Sequence, residues 1–219
     1  HASSSAASDV YKRQDITRGN LNPLPLAVSP LSVDQNSKEK FKDLLKLEDI
    51  GIEISKVVEN NLRQSGLFNP LDPKAFLQKP DIAHVKPRFE DWALIKAQAL
   101  ITGEVKIVDE KLRVEFRLWD VLAGKEIMAL AFTTVSENWR RVGHIITDKV
   151  YQRLTGEKGY FDTRIIYVAE EGLKTSRVKK LAIMDQDGFN TKYLTLGNEL
   201  VLTPRFNPTN QMVTYLSYF

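Results

Sequence analysis

Apolar positions along the first two thirds of the chain recur mostly at helical spacing or in strict alternation. From Lys38 to Gln64, Phe41, Leu44, Leu45, Ile50, Ile54, Val57, Val58 and Leu62 share one face with Lys and Glu opposite, which predicts a helix that Gly51 divides in two and Ser65-Gly66 ends. A shorter helix is predicted over Arg88–Lys96, with Phe89, Trp92 and Ile95 inward. Three strands follow: Ala99–Val108, a second in which Leu112, Val114, Phe116 and Leu118 alternate with Arg113, Glu115, Arg117 and Trp119, and Glu126–Val135. The short turns at Asp109-Glu110 and Ala123-Gly124 make these an antiparallel meander with one apolar face. Upstream, Pro23–Val28 reads as extended and, with two prolines, as an edge strand, while Phe68–Pro73 must be extended or turning because residues before proline avoid the helical region. Trp139, Val142, Ile146, Val150 and Leu154 line one face of a further helix that Thr155-Gly156 stops. Helices on the apolar side of a mixed sheet give a two-layer α/β domain over residues 21–159.

Past the polar joint Glu157-Lys158-Gly159 the periodicity is that of strands alone: Arg164–Ala169, Lys179–Asp185, Tyr193–Leu196 and Val213–Phe219, with Asp187-Gly188 and Gly197-Asn198 as turns. Four strands in residues 160–219 have the content of a single β-propeller blade, whose apolar face only a neighbouring blade covers, so this part is expected to be poorly stable alone.

Composition changes this picture little. The 219 residues, 42% hydrophobic, suffice for one full core and the start of another. A formal charge of +3 over a mixed surface does not argue for nucleic acid, and the absence of cysteine excludes disulfide and thiolate chemistry without fixing a compartment. No apolar run approaches the roughly 18 residues that span a bilayer. Residues 1–14 are small, polar and Ser/Ala-rich, without an initiator Met or signal-peptide core, and read as an assembly scar. The abrupt strand at Val213–Phe219 suggests that the sequence continues beyond it.

Candidate chemistry is sparse. Of the histidines His1, His84 and His144, none belongs to a sequence cluster with zinc-ligand spacing. His144 and Asp148 lie four apart on one helix and are expected to form a surface hydrogen bond or ion pair rather than a catalytic dyad, and no G-x-S-x-G nucleophile elbow is present. Asp185-Gln186-Asp187-Gly188 places Gly fourth, not sixth, so a hairpin turn is favoured over a calcium loop. Leu118-Trp119-Asp120 resembles a WD-repeat ending by chance. Arg140, Arg141, Arg177, Lys179 and Lys180 read as solvated surface.

An ordered set of residues carries a family resemblance: Trp139-Arg140-Arg141, His144, Asp148, Leu154–Glu157, Gly159–Phe161 and Thr163–Val168, with Leu62–Phe68, Leu100–Gly103 and Leu181–Gly188 elsewhere. Together they resemble the TolB family, the periplasmic component of the Tol-Pal envelope system, from about Asp15 to Phe219. The resemblance implies an α/β domain followed by the first blade of a truncated propeller. It also implies a monomeric, non-enzymatic adaptor in the periplasm with no cofactor or metal, no nucleic-acid partner and no insertion in the membrane, its signal peptide and most of its second domain lying outside this sequence. By resemblance, the mobile segment Asp15, Ile16, Thr17, Arg18, Gly19, Asn20 is the end of the part that binds inner-membrane TolA, although the residues before Asp15 depart from the family pattern. The outer-membrane lipoprotein Pal would contact propeller loops mostly beyond Phe219. Trp139, Arg140, His144, Gly156, Gly159, Phe161, Thr163 and Arg164 form the implied domain junction, where a groove would hold the N-terminal segment in one of two competing states. The role implied is envelope integrity, constriction during division, and bacteriocin import. The rival readings are the propeller part of a prolyl-oligopeptidase-like enzyme with its catalytic domain downstream, and an RNA-binding α/β module.

Overall fold

A computed structural model describes residues 22–34, 37, 47–78, 86–210 and 212–218. The N-terminal segment 15–20, the residues before it, the first part of the predicted Lys38–Gln64 helix, His84 and Phe219 lie outside the described residues. No helix among the described residues is long and apolar enough to cross a membrane.

The first unit is a mixed sheet in the order β3-β1-β4-β5-β6, formed by β1 (Leu24–Val28), β3 (Phe68–Pro70), β4 (Ala99–Val108), β5 (Lys111–Asp120) and β6 (Lys125–Thr134), with β2 (Ser32–Val33) also on β4. β1 is parallel to both its neighbours, and β4, β5 and β6 form the expected antiparallel meander. Asp109 and Glu110 turn it with φ of 48° and 60°, the left-handed pair that a two-residue hairpin requires.

β1 is central rather than the edge strand its prolines suggested. The Pro25 carbonyl accepts from Gln98 N at 2.9 Å just before the β4 ladder begins at Ala99, so the missing Pro N–H would have had no ladder partner.

Helix α1 (Leu47–Gln64) runs unbroken through Gly51, contrary to the expected division. A Cβ there would meet the Leu31 carbonyl oxygen at 2.5 Å, so Gly51 permits a close backbone approach instead of breaking the helix. α1 presents Ile54, Val58 and Leu62, and α3 (Trp139–Thr155) presents Val142, Ile146 and Val150, to the sheet face made by Ile101, Val105, Leu112, Val114, Phe116 and Leu118. Gly143 lets the two helices touch, because its Cβ would lie 2.8 Å from Val57 Cγ1.

The other sheet face is not bare. A β-bulge after Leu118 precedes Trp119, which joins Ala27, Leu100 and Val121 against Trp92 of the short helix α2 (Phe89–Leu94). Two helices therefore cover one face and one covers an end of the other.

The second unit departs from a four-strand sheet. β7 (Arg164–Glu171), β8 (Val178–Asp185) and β9 (Lys192–Tyr193) form one antiparallel sheet, and β10 (Leu200–Phe206) pairs with β11 (Val213–Tyr218) in a separate one. β10 went unpredicted because Pro204 interrupts it; the ladder absorbs the proline by a register shift between Leu202 and Arg205, with Thr203 at φ 46°. β9 is shorter than expected because Thr195 Oγ1 takes over the pairing, accepting from Leu181 N at 2.9 Å. β10 packs across β7 and β8 as part of a separate sheet, and Val201, Leu181 and Ala182 are buried in this unit. Among the described residues, neither a helix nor the sheet of the first unit packs extensively on β7, β8 or β10.

Candidate functional site

The first turns of α3 distribute their side chains in three directions. Val142, Ile146 and Val150 enter the core, and Trp139 packs at its margin. Arg141 and Asp148 hold the segment that leads into β7, and Arg140, His144 and Thr147 face α1 and the β8–β9 turn.

The linker is tied by backbone donors. Asp148 Oδ1 accepts from Phe161 N at 2.7 Å and Oδ2 from Asp162 N at 3.2 Å. The expected His144–Asp148 pair does not form, because a carboxylate that can satisfy two linker N–H groups gains more than one sharing a surface proton. Gly159 must pass Asp148 so closely that a Cβ would sit 2.4 Å from Oδ1. Gly156 ends α3 in the left-handed conformation at φ 80°. Phe161 is fully buried, its ring 5.7 Å from that of Tyr151, and Thr163 Oγ1 donates to Tyr160 O at 2.7 Å. Arg141 holds Asp162 through Nε and Nη2 at 3.0 Å each, and this hydrogen bond and charge raise its pKa.

The second constellation joins parts distant in sequence. Asn61, buried on the apolar stripe of α1, donates through Nδ2 to His144 Nδ1 at 2.9 Å and to Thr147 Oγ1 at 3.2 Å, and its Oδ1 accepts from Gln186 Nε2 at 3.2 Å. Gln186 lies in the hairpin turn closed by Gly188 N on Asp185 O at 3.0 Å, with Gly188 at φ 86°. Arg140 is not solvated surface: its Nη2 donates to Asp187, its Nε lies 3.4 Å from Asp185 Oδ2, and its guanidinium stacks over the Phe189 ring at 4.4 Å. The other basic residues of that group are paired on the surface, Arg177 and Lys179 with Glu170 and Lys180 with Glu171.

Sequence spacing did not anticipate that His144, Asp185 and Asp187 would converge, their ligand atoms within 4.8 Å of one another. The donor set nevertheless suits a cation poorly. Thr147 has a single hydroxyl proton, which goes to Gly143 O at 2.8 Å, so its oxygen accepts from Asn61 and the Asn61 atom beside it is the amide nitrogen. His144 Nδ1 therefore accepts, the ring proton sits on Nε2, and no lone pair faces the carboxylates. Nε2 itself has no hydrogen-bond partner, at 3.8 Å from Asp185 Oδ2 and 3.9 Å from Asp187 Oδ2, and both carboxylates already share Arg140. Burial lowers the His144 pKa against the opposing pull of Asp187 and Asp185.

Beside this joint opens a cleft of about 630 Å³, lined by Arg141, Asp162, Thr163, Arg164, Ile183 and Phe206 among others. A smaller hollow shares Arg141 and reaches Thr133 and Thr134 of β6, the strand at the free edge of the first sheet. Arg164 thus belongs to the cleft, and Trp139, Gly156, Gly159, Phe161 and Thr163 belong to the helix and linker. Asn61, Gln186, Asp185, Asp187 and Phe189 complete the joint and were not singled out for it. A polar Asn61 among Val57, Val58 and Leu62 on one helical face was the signal available.

The family model of the TolB amino-terminal domain matches residues 13–127, and that of the TolB beta propeller domain matches residues 151–219. Over 205 residues the chain is 84% identical to the Tol-Pal system protein TolB of Pelagibacter ubique (strain HTCC1062), covering 94% of this chain and 46% of that relative. The chain thus spans about half the relative's length. The crystal structure of TolB from Acinetobacter baumannii superposes with a TM-score of 0.71 at 23% identity, covering 90% of this chain and 44% of that one, and so agrees in fold. An α/β unit with a mixed sheet, followed by strands of an incomplete propeller and matched in both parts, means that the chain belongs to the TolB family.

Proposed function

We propose that the chain is the N-terminal half of a non-enzymatic periplasmic adaptor of the Tol-Pal system, linking inner-membrane TolA to the outer-membrane lipoprotein Pal. Its role is then outer-membrane integrity and constriction during division, with bacteriocins exploiting the same protein for import. The units are residues 21–159 and 160–219, TolA binding belongs to the segment containing residues 15–20, and the Pal surface lies on propeller loops beyond Phe219.

The 84% identity to a Tol-Pal system protein across both units carries this reading. The cleft beside Asp162–Arg164 supports the expected groove for an extended segment, since it opens at the joint, and a separate hollow that shares Arg141 lies beside the edge strand β6. The burial of His144 and its hydrogen bond with Asn61 support the non-enzymatic part of this reading.

Immobilised TolA and Pal test the assignment. The complete protein is expected to be retained by both, and deletion of residues 15–20 to weaken retention on TolA alone. Tight retention of residues 15–219 on Pal would overturn the placement of the Pal surface, and failure of the complete protein on either column would overturn the adaptor role.

A further inference from the structure

We propose that His144 is a proton-controlled lock on the joint: a proton on Nδ1 removes the acceptor that Asn61 Nδ2 uses and, through Asn61, loosens Gln186 and the β8–β9 turn. This goes beyond the adaptor reading and does not depend on which partners bind.

The network admits only one ring proton in the locked state. Thr147 fixes the orientation of the Asn61 amide, Asn61 fixes His144 Nδ1 as an acceptor, and Nε2 holds the proton. Imidazolium carries protons on both nitrogens, so the 2.9 Å contact between Nδ1 and Asn61 Nδ2 becomes a contact between two donors. Turning the Asn61 amide relieves that contact only by moving the conflict to its other partners. That rotation removes the Thr147 hydrogen bond and presents an NH₂ group to Gln186, which then has to turn as well.

The charged groups facing His144 are Asp185 and Asp187 in the turn, Arg140 one helical turn before it on α3, and Asp162 on the linker. The three carboxylates favour the imidazolium and Arg140 opposes it. Burial outweighs them, so the pKa in the locked state lies below the ordinary 6.5. Opening the joint returns the ring toward its ordinary value. The lock is therefore at full strength above about pH 6.5 and weakens as pH falls toward the depressed value, the open form binding the extra proton. The attraction of the imidazolium for Asp185 and Asp187 opposes this loosening, and burial outweighs it.

Nuclear magnetic resonance of the full chain tests this from pH 8 to pH 5. The His144 ring nitrogens should show the Nε2–H tautomer at pH 8. Below about pH 6.5, the opening constant read from amide exchange of Asp185, Gln186 and Gly188, corrected for intrinsic exchange, should rise by up to about tenfold per pH unit, while that of Val114 stays constant. His144→Gln should abolish the pH dependence at the turn. A Nδ1–H tautomer at pH 8, turn protection that stays flat while His144 titrates, or a ring that does not titrate before the chain unfolds would each overturn the proposal, as would an unchanged slope in His144→Gln. If that variant does not fold, the tautomer and exchange of the unmodified chain decide alone.

Discussion

The two units bury their apolar residues to very different degrees. In the first, the main cluster gathers Leu26, Ile54, Leu62, Ile101, Phe116, Val142, Ile146 and others between one sheet face and two helices, and even the opposite face has Trp92 and Trp119 buried in a second cluster. In the second, Leu181, Ala182 and Val201 are the fully buried hydrophobics beyond the linker, while Ile165, Leu194, Leu200, Leu216 and Tyr218 remain exposed among the described residues. Both units obey strand periodicity, so the difference lies in what shields them. A helix carried in the same segment closes the first unit. A sheet with only a two-strand neighbour leaves the second open.

Breaking this comparison starts in the first core. Phe116→Ala should destabilise the α/β unit by about 3–5 kcal/mol, whereas Leu181→Ala should leave that transition where it is and act on the strand unit alone. Denaturant unfolding followed by Trp fluorescence reads the first unit, since Trp92, Trp119 and Trp139 all lie in it. A single transition moved equally by both substitutions would mean that the units are one cooperative body.

The joint is the next place to press. Asp148→Ala leaves the N–H groups of Phe161 and Asp162 without their acceptor and should cost about 1–3 kcal/mol, with faster amide exchange at both positions. Unchanged exchange there would show that Phe161 packing alone holds the linker.

The smallest effect is electrostatic and sits on the exposed part of the first sheet. Hydrogen bonds from Lys106 and Arg113 lower the Glu115 pKa from 4.5 to about 2. The unfolded chain therefore binds the proton first as pH falls, so this contribution is complete above pH 4.5 and disappears toward pH 2. Because the side chain is still partly in water and its partners are screened, the effect should stay below about 1 kcal/mol, and Glu115→Gln should flatten the acid limb of the α/β transition by that amount.

Much of the architecture was legible because it follows from local rules. Leu112, Val114, Phe116 and Leu118 alternate, so β5 must have one apolar face; Trp139 to Leu154 repeat at helical spacing, so α3 must have one stripe; Gly156 supplies the left-handed stop. Misreadings fell where a neighbour overrode a local preference. Pro25 is tolerated in a central strand because its nitrogen points where no partner begins, Gly51 serves the approach of Leu31, and Pro204 is absorbed by a bulge.

The residues singled out on α3 and the linker lie along the stretch where the packing style changes, which is the feature of the chain that marked them. Their partners were not legible there. Asn61 lies 83 residues from His144 and 125 from Gln186, and nothing in the spacing of either says that they meet. Periodicity reports which side of an element is buried, since that depends on neighbours a few residues away. Which buried polar groups satisfy one another, which nitrogen of His144 holds its proton, and that Arg140 faces Asp187 rather than water are set by the crossing of helices and the docking of a turn, and only the assembled structure could decide them.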